Sequence, residues 1–200
     1  MYSKVGLIEA AVGTVNPLRS DKQGALVVTL GGGKYEEAVK QGNVYVASNQ
    51  AAVAMTAALA TTYTGLVLAN PVGSGKNAVI LRLNFSLTVV ASAASVIGLM
   101  TGAGVTGIAS AITPRNRLMG GVASSMIVDD GATLPAAPVL EQVFAQVGTL
   151  ATTGTQIGNV CDVDLDGSLI VTPGNYVAVY SFAAMTAAAI NSLMWKEVPV

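Results

Sequence analysis

Histidine is absent from this 200-residue chain, and cysteine occurs once, as Cys161. Without imidazole there is no Ser-His-Asp or Cys-His nucleophile system, no imidazole proton shuttle and no histidine metal ligand. A single thiol excludes an intrachain disulfide framework and any multi-thiolate zinc or iron–sulfur site. Flanked by Val160 and Asp162, it reads as a buried small hydrophobe. Charge is scarce as well: 10% of residues are charged, against about 25% in an ordinary globular domain. Ten Lys and Arg oppose eleven Asp and Glu, so no basic surplus points to nucleic acid phosphates. Aromatics make up only 5%. These absences point away from catalysis, and neither an enzyme activity, a cofactor nor a nucleic acid partner is expected.

What remains is apolar and small. Hydrophobic residues are 52% of the chain, and Ala and Val together make roughly 30%. An apolar, nearly neutral chain is not expected to be disordered, and its length fits one domain, or one domain with a short arm. Residues 41–75, 83–114 and 142–161 carry no charge. Since about 20 apolar residues cross a bilayer, residues 87–112 are weighed as a transmembrane helix, with Gly98 and Gly102 at the spacing of packed membrane helices. The composition argues against that reading. Thr88, Ser92, Ser95, Thr101, Thr106 and Ser110 interrupt the stretch, together with four glycines. Just before it, Val79, Leu81, Leu83, Phe85, Leu87 and Val89 alternate with Ile80, Arg82, Asn84, Ser86, Thr88 and Val90, which is the period of a half-buried strand. No basic segment followed by an apolar core marks a secretory signal.

Along the chain, residues 1–24 read as an exposed or partner-bound arm, followed by a strand over 25–30 that ends at Gly31-Gly32-Gly33. Residues 34–40, a turn at Gln41-Gly42-Asn43, and residues 44–47 read as a hairpin, so the arm and hairpin occupy 1–47 and the main domain 48–200. In that domain, turns at Asn70-Pro71-Val72-Gly73-Ser74-Gly75 and Thr172-Pro173-Gly174-Asn175 punctuate strands over 61–68, 78–90, 95–100, 122–128, 139–147, 168–171, 176–182 and 187–198. The segment 48–60 tolerates helix or strand, and Asp129-Asp130-Gly131 reads as a turn. Turn signals every 10–15 residues, with no long amphipathic helix between them, predict an all-β antiparallel sandwich or barrel.

Several motifs carry possible chemistry. Gly102-Ala103-Gly104-Val105-Thr106-Gly107 matches the dinucleotide fingerprint literally, but Pro114 and the following glycines leave little room for the helix that should hold a pyrophosphate. Gly73-Ser74-Gly75-Lys76-Asn77 lacks the upstream glycine and downstream hydroxyl of a phosphate loop. Glu36, Glu37, Asp129, Asp130 and Glu141 offer carboxylate pairs for glycoside hydrolysis, without the aromatic platforms usual for sugars. Asp162-Val163-Asp164-Leu165-Asp166-Gly167 matches the first half of a calcium loop, with Pro173 where the bidentate Glu belongs. On a strand, Asp162, Asp164 and Asp166 share one face, where a cation, a neighbouring Lys or Arg, or solvent must relieve their repulsion.

Tyr63-Thr64-Gly65-Leu66-Val67-Leu68-Ala69-Asn70-Pro71 and Lys76-Asn77-Ala78-Val79-Ile80-Leu81 resemble the opening strands of a class of tailed-bacteriophage virion proteins. Val171-Thr172-Pro173-Gly174-Asn175-Tyr176-Val177-Ala178 and Met194-Trp195-Lys196-Glu197-Val198-Pro199-Val200 are similar to its closing strands. The resemblance covers residues 60–200. It implies a jelly roll on the virion, trimeric, decorating or cementing the capsid surface in contact with the major capsid protein or other virion proteins, and it supplies no catalytic residues. A tail or head fibre component is the neighbouring alternative, and a small multi-span membrane protein is the alternative of a different class. Charge scarcity leads the same way, because apolar Thr/Ala/Val faces are best buried against further copies of the chain.

Overall fold

The computed structural model describes residues 7–9, 15–17, 33–88, 94–147 and 160–200. The chain divides into two units, Met1–Glu37 and Ala38–Val200. In the first, β1 (Leu7–Glu9) pairs antiparallel with β2 (Val15–Pro17), Ile8 lying opposite Asn16. The remaining residues of the arm, and the strand expected over 25–30, lie outside the described residues.

The expected hairpin over 34–47 is not formed. Glu36–Lys40 is instead a single helical turn, α1, with acids in its first turn and Lys40 in its last, the order the helix dipole favours. Its start is capped where the Gly33 N–H donates to the Glu36 carboxylate at 2.9 Å. Its end is a left-handed glycine: Gly42 has φ +72°, its N–H donates to the Val39 carbonyl, and the Asn43 N–H donates to that of Ala38. That pair of bonds satisfies the last helical carbonyls and turns the chain into β3 (Val44–Ser48).

Then follow β4 (Val53–Met55), β5 (Thr62–Ala69), β6 (Lys76–Leu87), β7 (Ser95–Ala103), β8 (Arg115–Asn116), β9 (Ile127–Thr133), β10 (Val139–Val147), β11 (Val160–Val171), β12 (Asn175–Ser181) and β13 (Met185–Pro199). The second unit is all-β: two antiparallel sheets packed face to face as a β-sandwich. One sheet has the order β10-β7-β12-β5-β9, the other β11-β6-β13-β3-β8 with β4 also on β13. Of the suspected membrane stretch, Leu87 ends β6, residues 95–103 are β7 and residues up to Ile112 a loop, while residues 89–93 lie outside the described residues. Among the described residues no helix is long and apolar enough to cross a membrane.

Between the sheets lies a core built around Trp195, Tyr45, Phe85, Leu83, Leu99 and Ile97, with Trp195 stacked on Tyr45 at 6.1 Å between ring centroids. A second cluster, including Tyr63, Met100, Ile108, Leu134 and Tyr176, covers the other face of the five-stranded sheet. With both faces buried, Leu66, Val67 and Leu68 are all fully buried, so no alternation shows there. In β6 the alternation changes phase. Arg82 pairs with Met194 but Ile80 with Trp195, which leaves Leu81 as a bulge. Ala78 and Ile80 point inward before it, Leu83 and Phe85 after it. The uniform odd-numbered face expected from the sequence is corrected at that point. Asp129-Asp130-Gly131 is likewise strand, not turn, because β9 pairs through it with β5.

Candidate functional site

Like Asp129 on β9, Glu197 near the end of β13 is buried, at 2% exposure. Lys76 Nζ donates to its Oε2 at 2.9 Å, and the Ser124 hydroxyl and Ser125 N–H donate to its Oε1. Burial pushes its pKa up, but the Ser124 hydrogen bond, Lys76 and the Ser125 N–H outweigh that and hold it below the usual carboxylate range. Lys76 is raised in turn, chiefly by its hydrogen bond to Glu197. An ionised, fully engaged and inaccessible carboxylate is a poor general acid or base. It fastens the segment 124–126 onto the sheet. Asp129 is used in the same way, accepting from the N–H groups of Ala109, Asp130 and Gly131.

The Asp162, Asp164 and Asp166 series lies on the edge strand β11. Arg82 clasps Asp162 with two guanidinium nitrogens and holds its carboxyl below the usual range. Asp164 Oδ1 accepts the Asp166 N–H at 3.2 Å. After Asp164 the strand bulges: Asp164 faces Arg82 while Leu169 faces Ile80, with Asp166 and Gly167 at positive φ. Arg82 thus meets one of the repelling charges directly. Among the described residues no three His, Cys, Asp or Glu side chains gather as a metal site. Neighbouring Cys161 is half-buried against the core, and burial and Asp162 push its thiol pKa up.

The nucleotide-like motifs resolve into local geometry. A Cβ at Gly102 would stand 2.3 Å from the Tyr176 hydroxyl, and Gly104 and Gly107 have φ +89° and +84°. All three glycines are explained by ring contact or turn conformation. Among the described residues no helix follows them. Gly73 and Gly75 take positive φ in the turn between β5 and β6.

Two opposite edges of the sandwich carry features that the sequence did not single out. At one, β10 and β11 run as the edge strands of the two sheets, and between them opens a cleft of about 420 Å³ lined by residues including Thr101, Val139, Glu141, Ile170 and Asn175. Val139, Leu140, Val143 and Ile170 are all exposed there. The signal lay in the pairing of apolar residues, Val139-Leu140 and Val143-Phe144, which strict alternation does not produce. Register shifts after Leu140 and after Val143 cause it. At the other edge, β8 leads into the loop 117–122, whose tip exposes Leu118, Met119 and Val122, Met119 at 96%. Asn116 fixes this loop: its amide donates to the carbonyls of Gly42 and Val122 and its side-chain oxygen accepts the Leu118 N–H. Arg115 and Arg117 flank the tip, both exposed.

Compared with known proteins, the chain matches no family model, no curated protein and no solved structure.

Proposed function

We propose that the chain is a jelly-roll structural protein of a tailed-phage virion that decorates or cements the capsid surface as a homo-oligomer, a trimer. Strand order carries the fold part of this reading. Setting aside the short β4 and β8 and the edge strand β9, eight strands remain; numbered one to eight along the chain, they stand 1-8-3-6 in one sheet and 2-7-4-5 in the other. That order supports the double Greek key of a jelly roll, a fold shared by viral capsid and lectin domains.

Fold alone does not give function. The further support is the pairing of very low charge with apolar side chains exposed on two opposite edges, which favours burial against further copies. The buried carboxylates are consumed by structural hydrogen bonds, which supports a structural role over a catalytic one. The decisive experiment is immunogold labelling of purified particles of the virus that encodes the chain. Label on the head surface is the expected result. A chain present in infected cells but missing from banded particles would contradict the proposal.

A further inference from the structure

Resting on the reading that the chain self-associates, we propose that copies join head to tail: the 117–122 loop of one copy seats in the β10–β11 cleft of the next, and Arg115 faces the next copy's Asp164. The two edges complement each other in shape and apolar character. One presents a tip headed by Met119, a flexible thioether suited to irregular gaps; the other presents a 420 Å³ cleft with Val139 and Ile170 at its rim.

They are also opposite in charge. Residues 113–126 contain two arginines and no acid, whereas β10 and β11 contain Glu141, Asp162, Asp164 and Asp166 and no Lys or Arg. Arg82 is paired with Asp162. Behind the loop, on β9, Asp129 is buried and Asp130 is half-buried.

Register puts the complementary features level. One row of paired residues crosses the six-stranded sheet as Arg115–Val46–Met194–Arg82–Asp164. Two rows on, the pairing runs Val44–Lys196–Val79–Ile170, and the Arg117 N–H donates to the Val44 carbonyl at 2.8 Å. The loop therefore stands at the height of the cleft and Arg115 at that of Asp164. A rotation about an axis along the strands brings unlike edges together without a shift along it, which is the condition for a closed ring. An edge roughly 40 Å long and two sheets deep offers on the order of 800 Å² per partner, the size of a specific interface. The two register shifts in β10 spoil it as a template for another strand, so side chains rather than a continued ladder make the contact.

The test compares self-association of the wild type with four variants by sedimentation, after circular dichroism confirms that each is folded. Arg115→Glu/Arg117→Glu and Glu141→Lys/Asp164→Lys should each weaken association by at least about tenfold, and the fourfold variant combining them should restore it. Met119→Asp, at a fully exposed position, should weaken it independently. Variants that associate as tightly as the wild type would overturn the head-to-tail contact while leaving self-association intact. A wild type that is monomeric throughout would instead overturn the self-association reading beneath it.

Discussion

Single residues in this protein do structural work that elsewhere would look catalytic. Glu197 has a depressed folded pKa, so its stabilisation is present above the unfolded carboxylate value of about 4.3 and is lost as pH falls through the lower folded value. The raised Lys76 acts in the opposite sense: its share is present below the unfolded value of about 10.4 and fades as pH climbs through the folded one. Glu197→Gln is expected to cost about 1–2 kcal/mol at pH 7 and to reduce the loss of stability below about pH 4, read from urea midpoints across pH. Tyr63 gives a neutral counterpart. Its buried hydroxyl donates to the carbonyls of Val179 at 2.7 Å and Leu66 at 3.2 Å, and burial drives its pKa well above the ordinary phenol. Tyr63→Phe should cost about 1–2 kcal/mol, with no change in acid sensitivity.

At the scale of the element, the sequence is readable wherever local chemistry decides and silent where a distant partner does. Pro-Gly and Asn-Pro turns marked the ends of β5 and β12 because turn preference is local. The phase change in β6 is set by a bulge against β13, where Ile80 pairs with Trp195, 115 residues later in the chain, and no window of β6 contains that information. The helical turn α1 is not legible in the sequence because five residues show no period, and the glycine that closes it has the same local signature as a hairpin turn. For the candidate surface, the acids of β11 were visible as a motif, but their complement at Arg115 and Arg117 emerges only once β8 is seen at the far end of the same sheet. The loop between β8 and β9 offers an element-level prediction. Asn116→Ala removes three hydrogen bonds. It should cost about 1–2 kcal/mol, and amide exchange over residues 117–122 should quicken while that of the buried strand β12 keeps its protection.

On the scale of the whole molecule, composition and architecture account for each other. A sandwich buried on both faces of its five-stranded sheet needs few charges along those strands, which is why the charge-free runs imitate membrane segments. The same scarcity leaves its edges poorly suited to solitary life in water. The most direct measurement is light scattering on the full chain in detergent-free buffer across a hundredfold concentration range. A closed species of three times 20.1 kDa, persisting on dilution, is the expected result. A mass of 20.1 kDa at every concentration would contradict it.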